Sequence, residues 1–487
     1  MIDIGFASWV LKIRKIYQKK KLRSHSDMRR KDYSTMAIAC IAIFLLVFLV
    51  FQFHLSSISR INATYSTINS QAADRKRLVP KSVHNMKILT PPPQQSTRAE
   101  EISCDRAHYT YDICSINGPT VLDPIASTLF LKDPTSSTLQ KPRVETVRPY
   151  TRKSENFTMS RIKEVTLVAG PRSPKCNIQH KAPALVFSAG GYTGNFFHEF
   201  NDGFIPLYIT VNSIFPNQDV VLVISKARDW WINKYKELLQ TFSKYPIINL
   251  DNDTTTHCFP FASVGMISHG FMTIDPAFIQ NSKKFTNFRA FLGKAYDQNH
   301  KVQNLPKSRP LLVLVGRSGG VGRLLLNQNE VRLEAENVGF DVTLFEPTPR
   351  NPLKEAYALI NSSHAMVGIH GAALTHSLFL RPGSVFVQVV PLGAEWVAKV
   401  CFERSARAMG LEYMEYRIKA EESSLIDKYS EDDMIVKDPV AFRGKNWSHK
   451  AMTIYLKEQN VKLDMVRFRE YLKEAYTKAK KLMDREG

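Results

Sequence analysis

Between residues 311 and 390, short apolar runs alternate with segments of helical spacing, and only a few residues separate them. Residues 311–315 (LLVLV) are an unbroken apolar run, the pattern of a strand buried on both faces. Residues 328–338 place Val331, Ala335 and Val338 at helical spacing, and Gly339 suits a helix stop. A strand over 340–345, a short helix over 352–360, a strand over 365–369, a helix over 372–380 and a strand over 384–390 follow. This alternation predicts a parallel, doubly wound sheet, in which ligands bind beyond the carboxyl ends of the strands. The preceding part is similar in kind. Residues 184–188 (ALVFS) and 220–224 read as buried strands, with helices over about 195–208 and 231–239. The expected fold class is therefore α/β, with two Rossmann-like lobes facing each other across a cleft. A polar stretch at 299–309 divides them.

A second feature decides where such a body resides. Residues 36–51 are wholly apolar, and with 52–55 the run reaches about 20 residues, enough for a helix to cross a bilayer. A cleaved signal peptide has a shorter apolar core and a small-residue cleavage site, which Phe51-Gln52-Phe53-His54 does not supply. Residues 1–34 carry ten Lys/Arg, whereas 56–70 carry only Arg60. Positive charge stays cytoplasmic, so the expected topology is type II with the body luminal. The expected divisions are a cytoplasmic basic tail (1–35), an anchor (36–55) and a luminal stem (56–101). An N-terminal lobe (102–300), a C-terminal lobe (301–445) and a C-terminal helix (446–487) complete them. The stem is polar and carries Thr90-Pro91-Pro92-Pro93, a composition too poor in apolar surface to fold. Glycosylation is expected at Asn62, Asn156, Asn252 and Asn446; a fifth sequon, at Asn361, reads as partly buried. Of the five luminal cysteines, Cys104 pairs with the nearby Cys114, Cys176 with Cys258 is a second pairing, and Cys401 remains as a small buried hydrophobe. A luminal location argues against nucleic acid as a partner, despite a net charge of +21.

Three constellations carry chemistry. Ile369-His370-Gly371-Ala372-Ala373 ends a buried strand and opens a helix. Glycine there permits close backbone approach, free amides favour an anion, and His370 adds a donor, so a pyrophosphate fits as well as a plain tight turn does. The second is the loop from Gly316 to Arg323, just beyond the strand over 311–315. Arg317 and Arg323 there can meet phosphate oxygens bidentately or lie solvated on a mobile loop. Asn329 and Glu330 open the next helix, where Glu330 can orient an arginine or favour the helix dipole. The third is Gly190-Gly191-Tyr192-Thr193-Gly194 followed by Asn195-Phe196-Phe197-His198-Glu199-Phe200-Asn201-Asp202. On a helix, Phe196, Phe200 and Phe204 form the core stripe, and His198, Asn201 and Asp202 share another face. His198 or Asp202 is positioned to act as a general base with the other as its partner, and Glu199 ranks third. The alternative is a polar network that only holds the glycine-rich turn. A competing D-x-D, Asp251-Asn252-Asp253, would hold a metal and a diphosphate, but its central Asn252 is itself a sequon residue.

These segments resemble glycosyltransferase family 61, particularly its plant xylan-decorating branch. The resemblance rests on Cys104-Asp105 with Asp112-Ile113-Cys114, the 195–202 motif, Arg317 through Asn329-Glu330, and His370 through Thr375 followed by Val387-Gln388-Val389-Val390-Pro391. Their order spans about residues 100–400. It implies a GT-B-type fold, whose last helix often crosses back to the first lobe. It also implies an inverting transfer with no obligatory metal or cofactor, and a UDP-sugar co-substrate near Arg317, Arg323 and His370. Members of the plant branch use UDP-xylose or UDP-arabinofuranose and decorate xylan; other branches xylosylate N-glycans or glycosylate proteins. A Golgi membrane location, and a complex with other xylan-synthesis enzymes, go with that branch. A core N-glycan xylosyltransferase and a non-catalytic scaffold that kept the fold are the rival readings.

Overall fold

The computed structural model describes residues 101–132, 142–170, 172–297, 308–319, 322–444 and 447–486, all within one compact unit. The expected anchor and stem and the sequons at Asn62 and Asn446 lie outside the described residues.

The second half forms one all-parallel sheet in the order Asp341–Phe345, Leu311–Val315, Ala365–Ile369, Val385–Val390, Glu412–Arg417. Its central strands are buried along nearly their whole length. That is why they read as continuous apolar runs, since helices cover both faces. The second strand in chain order lies outside the first, and the third lies on its other side. The winding direction therefore reverses between Leu311–Val315 and Ala365–Ile369, and a crevice opens at their carboxyl ends. The loops carrying Arg317 and His370 leave the sheet there.

The first half departs from the expectation of a simple second Rossmann-like lobe. Four strands, Ala262–Val264, Ala184–Ser188, Val221–Ser225 and Ile248–Asn249, are parallel, but the antiparallel hairpin Glu101–Asp105/Ile113–Asn117 extends them. A separate six-stranded sheet of Arg143–Val147, Val165–Gly170, Thr128–Lys132, Thr120–Asp123, His257–Phe259 and Ile178–Gln179 accompanies it. These strands are short and partly polar and no long helix intervenes, so they lack the strand–helix period that announces the other lobe. The chain is α/β on three sheets.

Both disulfides form. Cys104–Cys114 joins directly opposed residues of the hairpin, and Cys176–Cys258 ties the segment before Ile178–Gln179 to its neighbouring strand. Cys401 is free and buried.

The two halves share one apolar core. Phe200 meets Phe379, Tyr296 meets Tyr357 and Phe379, and Phe197 meets Phe402, all with ring centroids within 6.5 Å. The helix Phe285–Tyr296 packs between elements of both halves. An interface so large and aromatic opposes hinge opening.

The end of the chain differs from one continuous helix. His449–Thr453 and a wider turn, Ile454–Glu458, precede an extended stretch in which Val461 bridges to Leu325 and Ser423. The carboxylate of Asp464 then accepts from the amides of Val466 and Arg467 and starts a new helix, Met465–Glu486. Phe468, Leu472, Ala475 and Ala479 bury this helix in the core beneath the C-terminal sheet, where its main neighbour is the helix Gln328–Val338. It covers its own lobe rather than crossing back to the first.

Candidate active site

A cleft of about 1040 Å³ lies between the halves. Tyr192, Gly194, Glu199, Trp230 and Lys234 line one side, and Arg317, Arg323, Ala372, Ala373 and His376 the other.

On the sheet side the motif residues converge. An Arg317 guanidinium nitrogen lies where a Cβ on Gly371 would be, only 1.7 Å from that ideal position, so glycine is required there (φ +155°). Arg323, held at φ +64°, donates to the His370 carbonyl at 3.1 Å, while its Nε is buried without a partner. Among the described residues neither arginine makes an ion pair. Burial pulls both guanidinium pKa values down; the charge of Arg317 adds to the effect on Arg323, which falls to about 9. Two cations forced together without a counter-charge form a site that lacks an anion. His370 is buried, and the Gln388 amide donates to its Nδ1 at 2.9 Å while Tyr413 donates to the other end of that amide at 2.8 Å. The chain of contacts leaves the proton on Nε2. Burial and then the two arginines push the His370 pKa well down, keeping the ring neutral.

The other side is built on one deformed helix. Phe196–His198 is α-helical, Glu199–Phe204 forms a wider π turn, and Ile205–Ile214 resumes the α form. Pro206 explains the bulge. It has no N–H for the Asp202 carbonyl four residues back, and the Thr151 hydroxyl donates to that carbonyl instead, at 2.9 Å. The Asp202 carboxylate is 1% exposed. It accepts from Tyr150 (3.1 Å), Arg152 Nε (2.9 Å), Asn201 (2.5 Å) and His198 Nδ1 (2.8 Å). Burial alone would raise its pKa, but the hydrogen bond from His198 and the charge of Arg152 outweigh that and hold it below the usual range. An ionised carboxylate only accepts, so the bond to Asp202 requires a proton on His198 Nδ1, and Arg152 Nη2, 3.2 Å from the same nitrogen, is then a neighbour there and not a hydrogen-bond donor. The Tyr192 ring stacks on His198 with centroids 4.2 Å apart. Gly191 makes this possible, because a Cβ there would fall 2.5 Å from the Tyr150 ring, at φ +66°. Glu199 faces the cleft and accepts from the Gly194 amide (2.8 Å) and Trp231 Nε1 (2.6 Å). Desolvation raises its pKa to about 7 despite these bonds.

The structure thus brings Arg317, Arg323, Ala372, Ala373 and Glu199 to the cleft, whereas Gly371 and the buried His370 lie outside its lining. His198 and Asp202 stand behind Tyr192, outside the cleft lining, with the His198 side chain 20% exposed. Asn329 and Glu330 are exposed on the helix Gln328–Val338, where Asn329 receives Arg332 and Glu330 receives Asn327. Asp251 pairs with Lys163 and Asp253 with His257, and neither lines the cleft. Asn156 and Asn252 are exposed, as acceptor asparagines must be, whereas Asn361 is half-buried and bonded to Arg289. Arg152, Tyr150, Lys234 and His376 carry no motif signal. His376 stacks on Phe196 across the cleft at 4.1 Å, and only the tertiary fold pairs them.

Comparison with known proteins gives this site its class. The glycosyltransferase 61 model matches residues 196–387, which hold both the deformed helix and the arginine loop. A xylan glycosyltransferase of Arabidopsis thaliana is 39% identical over 407 residues, 80% of this chain and 81% of that one. An alpha-1,3-arabinosyltransferase of rice (Oryza sativa subsp. japonica) is 34% identical over 84% of this chain and 69% of its own length. A beta-1,2-xylosyltransferase of rice is 37% identical over 68% and 71%. The protein is a glycosyltransferase. Within that class it belongs to glycosyltransferase family 61.

Proposed function

We propose that this enzyme transfers a pentose, xylose or arabinofuranose, from its UDP-activated form to the xylan backbone, with inversion and with no obligatory metal. The observation that carries the donor half is the half-buried pair Arg317 and Arg323, without an ion-pair partner among the described residues, at the reversal point of the parallel sheet. A diphosphate supplies the two negative charges they lack, and His370, buried outside the cleft lining, holds Arg323 through its carbonyl. The acceptor half draws on the named activities of the relatives, a xylan glycosyltransferase, an arabinosyltransferase and a xylosyltransferase. The fold reading that goes with it is GT-B-type, with the second lobe gripping the nucleotide. In the reaction, His198 Nε2 takes the proton of the attacking xylan hydroxyl. Asp202 holds the ring in the required tautomer and stabilises the imidazolium that forms. The hydroxyl oxygen displaces UDP from the anomeric carbon on the opposite face, and the arginines take up the charge that develops on the departing diphosphate. Type II insertion in the Golgi membrane, read from the apolar run and its flanking charges, supplies the compartment.

The test is direct. Full-length protein in detergent, given UDP-xylose or UDP-arabinofuranose with xylohexaose, should yield a pentosylated product by mass spectrometry. Absence of product with both donors, together with no UDP binding, would refute the proposal.

A further inference from the structure

Two large aromatic side chains on opposite halves of the molecule are exposed and touch. Phe271 is 39% exposed and Trp396 47%, with ring centroids 6.3 Å apart. Trp396 is the second residue of the helix Glu395–Ala398, just after the strand Val385–Val390, and so lies at the carboxyl edge of the parallel sheet. Phe271 lies in the loop that follows Ala262–Val264. Single exposed aromatics are unremarkable; a pair contributed by two lobes is a patch.

The contacts of Phe271 connect it to the proposed acid–base pair. The Arg152 guanidinium lies 4.9 Å from the Phe271 ring centroid, is 2.8 Å from Asp202, and is 3.2 Å from the His198 ring nitrogen. Asn201 receives the amide of Met272 at 2.7 Å through its oxygen and donates to Asp202 at 2.5 Å through its nitrogen. One arginine and one asparagine therefore fix the Phe271 loop against the group that would take the acceptor proton. Neither aromatic lines the donor cleft.

We propose that Phe271 and Trp396 form the acceptor platform, on which the xylose rings of a xylan chain stack so that one hydroxyl reaches His198. This rests on the functional reading above and adds the side from which the acceptor arrives. The chemistry favours this occupant. A xylopyranose ring bears only equatorial hydroxyls and no exocyclic carbon, so its two faces are C–H surfaces that suit an indole, while its rim remains hydrated.

The test uses full-length protein in detergent. Wild-type protein should bind xylohexaose, read by isothermal titration calorimetry. Trp396→Ala and Phe271→Ala should each weaken that binding and raise the acceptor KM about ten-fold or more, with the UDP-induced thermal shift unchanged. Trp396→Phe should restore much of both, and Trp230→Ala, in the donor cleft, should instead reduce the response to UDP. If wild type binds xylohexaose and both alanine variants bind it equally well, the platform is refuted, as it is if wild type does not bind xylohexaose at all. Binding that is lost in the variants, in a protein that transfers no pentose, would uphold the platform and refute the pentosyl-transfer reading instead.

Discussion

Replacing Arg323 with methionine should make the protein somewhat more stable and far worse at binding UDP. The Arg323 pKa of about 9, against 12.5 for a free guanidinium, sets an upper limit of about 5 kcal/mol on the cost of holding that charge in the cleft. Partial exposure screens roughly half of this. Loss of the hydrogen bond to the His370 carbonyl costs about 1 kcal/mol, and the methionine keeps the apolar stem in contact. The net gain for the empty protein is about 1 kcal/mol, a degree or two in Tm for a body of this size. Against a diphosphate the arginine contributes a charge-assisted contact worth about 1.5–3 kcal/mol, so Kd should rise roughly 10- to 150-fold. Thermal unfolding with and without UDP reads both effects. At a UDP concentration about 100 times the wild-type Kd, ligand stabilisation is about 2.7 kcal/mol. In the variant it should fall to between about 1.4 and 0.3 kcal/mol. An empty variant destabilised by about 2 kcal/mol or more, or one with the full UDP shift, would mean that Arg323 is a structural residue and that the anion-site argument fails.

Further expectations concern its neighbours. Gly371→Ala, which changes no charge, should displace Arg317 and weaken UDP binding as much as Arg317→Ala does; calorimetry showing wild-type affinity would contradict the steric argument. His198→Ala should lower kcat by about 100-fold or more with the UDP Kd unchanged, and a fully active variant would exclude it as base. Asp202→Asn should also lower kcat, and it should cost stability, about 1–3 kcal/mol, because Arg152 would lose one of its two carboxylate partners and keep only Glu155. Glu199 binds its proton more tightly folded than unfolded, so between about pH 4.5 and 7 the native state holds the extra proton and stability falls as pH rises. Glu199→Gln should remove up to about 3 kcal/mol of that slope, as followed by denaturant midpoints across the range; an unchanged slope would show that Glu199 titrates normally.

Much of this molecule is legible in its linear order, and the division follows the range of the interactions. The strands over 184–188, 311–315 and 365–369 were expected at the observed bounds, because a strand buried on both faces must be apolar throughout. Gly371 and the arginines at 317 and 323 stand at fixed offsets from those strands, so sequence places them at the carboxyl edge, whereas Gly339 stops a helix at the opposite, amino edge. The Cys104–Cys114 disulfide follows from closeness in sequence, whereas Cys176–Cys258, 82 residues apart, is decided by the pairing of distant strands. The second sheet of the first half was hidden, because it joins residues 120–170 to 178–179 and 257–259 through pairings that leave no local period. The site was half visible for the same reason. A helix motif shows that His198 and Asp202 are neighbours, but nothing local shows that Arg152 and Tyr150, some 50 residues earlier, neutralise and bury the carboxylate. Nor can periodicity show that Phe196 stacks on His376, or that Phe271 reaches Trp396. Sequence determines which residues share a strand or a helix face, because those are set by the 2.0 and 3.6 periods of the backbone. Which charges go unpaired, and which aromatics meet across the lobes, is decided only when distant segments exclude water together.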